Sequence, residues 1–185
     1  VDSKLTGEYL KSKNILKKYQ VLTKKIKFKN IKNKNKILFG VPTFSNDDDL
    51  NEKAIYYFAD MILHFLKKFP NEKIAIRLHP DGLTNKIILD KIPRNKNVEF
   101  HYSQEKSLKE SFEDSKISCF LVASSLIFDS INYLCVPVVL KLGKKDTFNF
   151  SGLKKYKVAH ITDTLSDFKN KVSDLIINKK KLQFE

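Results

Sequence analysis

The chain has 185 residues, enough for one domain with a full core and hardly for two. Its 42% hydrophobic and 30% charged content suits a folded, soluble protein, and no apolar run is long enough to span a bilayer. The formal charge of +14 suggests a polyanionic partner, yet only Arg77 and Arg94 are arginines and no cluster of arginine forks with aromatic platforms is present, which argues against nucleic acid.

Lysine, asparagine and isoleucine are all abundant, as translation of A+T-rich DNA would give, so a solvated basic surface is the plainest reading of the charge. A basic face also suits anionic lipid headgroups or a polyanionic acceptor, which would put the protein in the cytoplasm or against the inner face of the membrane. No secretory signal pattern opens the chain, and Val1 in place of Met predicts a processed chain or a piece of a longer one. Cys119 and Cys135 both stand in apolar surroundings and read as buried thiols in a reducing compartment.

Residues 1–35 are rich in lysine and asparagine, with a helical patch over Leu5 to Leu16, and read as a connecting segment. The domain is expected from residue 36 to 185. Ile37 to Val41 is a short apolar strand stopped by Pro42, with Thr43-Phe44-Ser45 after it. Asn46 to Asp49 looks like a helix start, its acids favourable to the helix dipole. Leu50 to Phe69 then carries Ala54, Phe58, Met61, Ile62, Phe65 and Leu66 at helical spacing, and Pro70 ends it.

Lys73 to Leu78 is a second strand, closing in His79-Pro80-Asp81-Gly82. Residues 84–92 form a short helix, Val98 to Tyr102 a third strand, and Ser107 to Asp114 another short helix. A fourth strand, Ile117 to Ala123, ends in Ser124-Ser125 and leads into an amphipathic Leu126 to Cys135. Val136 to Leu142, with Pro137, is the fifth strand, Val158 to Ile161 the sixth, and Leu165 to Ile177 a final helix after the polar loop Gly143 to Gly152.

Strands alternating with helices predict an α/β fold: a Rossmann-like, three-layer domain whose six-stranded parallel sheet has the order 3-2-1-4-5-6. In that order the turns after strands one, two and four meet where the strand order reverses. Thr43, His79 and the Ser124-Ser125 pair then converge, although they are scattered in sequence.

Each of these residues has two readings. Ser124 can cap a helix, or the hydroxyls of Ser124 and Ser125 can join the unpaired N–H groups of a helix start to hold a phosphate. His79 is a loop histidine, or a hydrogen-bond donor aimed over the sheet edge by the proline after it. His64, His101 and His160 read first as structural, although His101-Tyr102 could line a base pocket. Asp129 is a cap-side carboxylate or a ribose contact. The G-x-G-x-x-G of a dinucleotide site, the Walker lysine motif, a paired-cysteine zinc pattern and the G-x-S-x-G elbow are all absent from the sequence. Asp47, Asp48 and Asp49 are consecutive, so their side chains diverge and suit a helical first turn better than a metal. No metal and no cofactor is expected.

The sequence I-R-L-H-P closing the second strand, followed by S-S-L-I-F-D and C-V-P-V-V-L, resembles the C-terminal nucleotide-binding domain of GT-B glycosyltransferases. It is most similar to the set with H-P and S-S motifs, among them bacterial sialyl- and capsule transferases and the CDP-glycerol glycerophosphotransferases. Ser124, Ser125, Phe128, Asp129 and Pro137 stand in the matching places. Val122-Ala123 replaces the D-Y that often precedes the serines, and the acidic motif supplying the sialyltransferase base has no counterpart.

The resemblance implies one half of a GT-B fold, binding a nucleotide-linked sugar or polyol, with a cytidine-linked one among the candidates, for capsule or surface polysaccharide synthesis. It gives His79, Ser124 and Ser125 to the donor phosphates and His79 a catalytic share; the converging turns add Thr43 to the phosphate site, and His101, Tyr102 and Asp129 are the candidates for the nucleoside. Acceptor binding and the general base would belong to a missing N-terminal domain. A nucleotide-sugar 2-epimerase half is the alternative enzyme, and a flavodoxin-like binding module the alternative without catalysis.

Overall fold

A computed structural model describes residues 34–42, 48–80, 83–121, 124–142 and 159–178. In chain order the elements are β1 (Lys36–Gly40), α1 (Asp48–Lys68), β2 (Lys73–Arg77), α2 (Leu83–Lys91), β3 (Val98–His101) and α3 (Leu108–Glu113). They continue as β4 (Ser115–Leu121), α4 (Leu126–Asn132), β5 (Val136–Leu140), β6 (His160–Thr162) and α5 (Leu165–Ile177). Every strand pairing is parallel, and the sheet order is β3-β2-β1-β4-β5-β6. This is the expected Rossmann-like α/β architecture.

Strand alternation divides the core into two layers. Ile37 and Phe39, Ile74 and Ile76, Ile117 and Cys119, and Val136 and Val138 pack with Phe58, Ile62 and Phe65 of α1, Ile88 of α2 and Phe168 and Val172 of α5. Leu38, Ala75, Phe120 and Val139 face the other way, onto Phe112 of α3 and Ile127, Phe128 and Ile131 of α4. Strands buried on both faces are near-continuous apolar runs, as these are.

The differences from the expected bounds have local causes. β4 starts at Ser115 because its two opening polar residues are paired while buried: Ser115 Oγ donates to the Ser111 carbonyl at 2.8 Å, and Lys116 Nζ reaches Glu72 at 2.5 Å. α4 stops at Asn132, before Cys135. Leu134 takes φ 59°, and the amides of Leu134 and Cys135 turn back to the carbonyls of Ile131 and Ser130, a Schellman ending with leucine where glycine is usual. α3 opens on a capping box, with Ser107 Oγ and Glu110 exchanging bonds with each other's backbone. β6 runs through Thr162, whose hydroxyl donates to the Val139 carbonyl; Val158 lies outside the described residues.

Of the expected connecting segment only Lys34 and Asn35 are described, and both are fastened to the sheet. Asn35 and Lys36 donate backbone amides to the Asp114 carbonyl. Lys34 Nζ donates to the carbonyls of Phe112, Ser115 and Tyr133, neutralising two helix C-termini, while burial pushes its pKa down. Cys119 and Cys135 are free and buried, and burial pushes the Cys135 thiol up to about 12.

Candidate functional site

The site is organised by the end of β1. Gly40 lies level with Arg77 on one side and Phe120 on the other. A Cβ at Gly40 would come within 2.9 Å of two ring atoms of Phe120 and 3.4 Å of Leu126 Cδ1. The absence of a side chain therefore lets β4 and the first residue of α4 close over the end of β1. That closure carries the Ser124-Ser125 turn to the place where the strand order reverses, outside the carboxyl ends of the strands, where ligands of such sheets bind.

On the β4 side, Ser124 is half-buried and its Oγ accepts from the Leu126 amide at 3.3 Å. Its carbonyl accepts from Ile127 and that of Ser125 from Phe128, so the backbone of both serines starts the helix. Ser125 is exposed, and its side chain makes no cap bond. Asp129 follows in the first turn, half-buried, its charge favourable to the helix dipole.

On the β2 side, His79 is half-buried just beyond the strand. The Asn85 side chain grips its backbone from both directions: Oδ1 accepts from the His79 amide at 3.0 Å and Nδ2 donates to the His79 carbonyl at 2.7 Å. This clamp takes the place of ladder bonds that the chain loses on leaving the sheet, and it fixes where the imidazole starts. Asn85 was not singled out in the sequence, where it reads only as a polar residue in a helical first turn. One strand separates β2 from β4, so the two turns stand on the order of 10 Å apart across the end of β1. Thr43, expected in the turn after β1, lies outside the described residues, as do Asp81, Gly82, Val122 and Ala123.

His101 and Tyr102 divide. Tyr102 is half-buried against the α1–α2 core layer. His101 is turned to the other face with no exposed surface, committed to a polar scaffold under the β3–α3 turn. Its Nδ1 lies 3.1 Å from Ser111 Oγ, and its Nε2 3.2 Å from both Lys106 Nζ and Glu99. Ser111 Oγ donates to the Ser107 carbonyl and accepts from Arg77 at 3.1 Å. That leaves the serine an acceptor toward His101, which assigns the imidazole proton to Nδ1 and leaves Nε2 to accept from Lys106.

The imidazole is thereby held neutral. Burial and then the Lys106 ammonium lower its pKa to about 4, against the opposing pull of Glu99. Burial would raise Glu99, but bonds from Lys106 and Lys36 overcome it and hold the carboxyl at about 2. Arg77, only 7% exposed, completes the scaffold through the carbonyls of Lys106 and Ser107. In the sequence it is one of two arginines, two positions before His79; in the structure it is the strut of the neighbouring turn.

No family model and no curated protein matches the sequence. Among solved structures the fold is similar to a UDP-GlcNAc 2-epimerase from Neisseria meningitidis bound to UDP-GlcNAc, with a TM-score of 0.57 and 20% identity over 98% of this chain and 45% of that one. It is similar to a putative UDP-N-acetylglucosamine 2-epimerase from Listeria monocytogenes, with a TM-score of 0.57 and 11% identity over 84% of this chain and 40% of that one. The GtfA/B complex gives 0.50 and 7%, over 82% and 31%. The likeness is one of fold. It is the Rossmann-like half of a GT-B-type architecture, and this chain spans less than half the length of each of the three. Among the described residues no helix is long and apolar enough to cross a membrane.

Proposed function

We propose that this domain is the donor-nucleotide-binding half of an enzyme acting on nucleotide-linked sugars. One observation carries the reading: the His79 turn and the Ser124-Ser125 turn flank the end of β1 at the reversal of strand order. In this reading His79 and the hydroxyls of Ser124 and Ser125 donate to the donor's phosphates, with Thr43 joining from the turn after β1. Charge that develops on the leaving nucleotide is met by the same donors, which gives His79 its catalytic share. Tyr102 and Asp129 contact the nucleoside, and His101 holds the turn beside them from behind. The acceptor site and the attacking group's base belong to a second, N-terminal half of the cleft.

The reaction we favour is glycosyl or polyol-phosphate transfer in capsule or surface polysaccharide synthesis, with a cytidine donor the first to try. The 2-epimerase reading stands beside it because the similarity to a 2-epimerase extends over 98% of the chain. Calorimetric titration with CMP, CDP and UDP tests the shared core of both. His79→Ala should cost on the order of 1.5–3 kcal/mol of nucleotide affinity, and Ser124→Ala about 1 kcal/mol. Equal affinities across wild type and both variants would sink the site. Incubating the full-length protein with labelled nucleotide-sugar separates the reactions: epimerisation proceeds without acceptor, and transfer requires one.

A further inference from the structure

The α1–β2 and α2–β3 connections lie side by side at the amino ends of two paired strands, on the edge opposite the candidate site. Asn97 ties them together, its Nδ2 donating to the Pro70 carbonyl at 2.6 Å and its backbone carbonyl accepting from Ile74. Six exposed cations crowd this small area: Lys67, Lys68 and Lys73 from the first connection, Lys91, Arg94 and Lys96 from the second. Two carboxylates stand among them. Glu72 is already paired with the buried Lys116, and Asp90 is the other. Among the described residues none of the six cations forms a salt bridge; Lys68 bonds the Ser173 hydroxyl, and Lys91 sits over the Tyr56 ring.

Lysine abundance alone would spread such charge evenly, and it is not even. Elsewhere on the described surface Lys106 is paired with Glu99 and Lys109 with Glu113, and Glu105, Asp163 and Asp167 are exposed carboxylates. The excess charge of the described surface is thus concentrated at the amino ends of β2 and β3.

We infer that this edge is a docking surface for an anionic lipid bilayer. The chemistry fits that partner better than others. Five of the six cations are lysines, strongly hydrated point charges without the planar fork that reads phosphodiester or base edges. Among the described residues the exposed aromatics are Tyr56, whose ring Lys91 overlies, and Tyr57, both on α1, and Phe69 is half-buried on Phe65, so these connections offer no free ring to stack a base. A protein partner would need an apolar centre, and the large exposed apolar residues lie along α1, α2 and α5 instead of these connections.

A bilayer of anionic headgroups needs only several cations on one rigid face within reach of its surface potential, which decays over about 8 Å in physiological salt. The Asn97–Pro70 bond supplies the rigidity, and docking here leaves the candidate site uncovered.

Sedimentation of the protein with vesicles tests this. The protein should partition onto phosphatidylglycerol-containing vesicles and not onto pure phosphatidylcholine, and high salt should release it. Lys67→Gln combined with Lys96→Gln should weaken partitioning roughly 25-fold, about fivefold for each side chain. Lys86→Gln combined with Lys109→Gln removes the same net charge elsewhere and should change it less than about twofold. Equal weakening by both pairs, failure of the wild type to bind anionic vesicles, or tighter capture by homopolymeric RNA at the same salt would each overturn the assignment.

Discussion

Around the carboxyl ends of β2 and β3, the polar side chains interlock: Arg77, His101 and Ser111 are almost fully enclosed, with the partly exposed Glu99 and Lys106 closing the ring. At the amino ends of the same two strands, six exposed cations form no salt bridge among the described residues. The two ends of one strand pair therefore spend charge in opposite ways. Enclosed polar groups in a low dielectric are costly to leave unmatched, so they fix one geometry and suit a site that must hold a ligand in place. Solvated charges cost little, fix nothing, and suit a diffuse partner. If the contrast is real, the carboxyl end should be sensitive to single atoms and to pH, and the amino end to neither.

The largest effect expected is acid sensitivity at His101. An unfolded imidazole takes up its proton near pH 6.5, the folded one only near 4. Between these values the unfolded state binds more protons, so stability falls as pH drops through that window and is fully present above it. The loss attributable to His101 should approach about 3 kcal/mol by pH 4. Glu99, depressed to about 2, adds a further loss only below pH 4.5. Urea unfolding of wild type and His101→Gln across this range checks the claim. Whatever the variant's stability at neutral pH, its curve should be flatter; parallel curves would mean that the imidazole already titrates as if exposed.

A smaller effect is expected at Gly40. Gly40→Ala puts a methyl against the buried ring of Phe120, which has nowhere to retreat, and should destabilise by about 1–3 kcal/mol through overpacking. Because Leu126 is the next atom met, the same change should loosen the Ser124-Ser125 turn and reduce CDP binding. Unchanged or raised stability would show that the close approach is slack.

How much of this could be read in the sequence follows from the range of the interactions. The six strands and their order were legible because each strand is a short apolar run between clear stops, and parallel crossovers leave few topologies. Ser107 with Glu110 signals a helix start within four residues, and the structure has that capping box. The scaffold around His101 was not legible. His101 reads first as structural, but nothing in the alternation of Val98 and Phe100 with Glu99 and His101 names its partners; the packing of α3 across β3 supplies them. Arg77 ends an apolar strand and looks solvent-bound, yet its partners lie some thirty positions further along the chain. Leu134 in the left-handed region gave no sign either, since that place in a helix ending normally announces itself as glycine. Periodicity reports local structure well, and it is silent about which face a distant helix will cover.

The smallest effect is the one that most directly tries the contrast between the two ends. Lys67→Gln with Lys96→Gln removes two exposed cations that make no hydrogen bond and no ion pair among the described residues. Their loss should shift unfolding free energy by no more than about 0.5 kcal/mol, the usual range for surface changes away from caps and networks. In a chain of formal charge +14 the shift should be toward greater stability, since like charges held together in the folded state repel less once two are gone. Urea unfolding of the double variant, with its denaturant slope compared to wild type, measures this. A loss beyond about 1 kcal/mol would place these lysines in an unseen structural network and end the contrast with the carboxyl end. A null result in unfolding joined to a large loss on anionic vesicles would separate the two roles cleanly, because a side chain that contributes nothing to the fold can matter only through what it meets outside it.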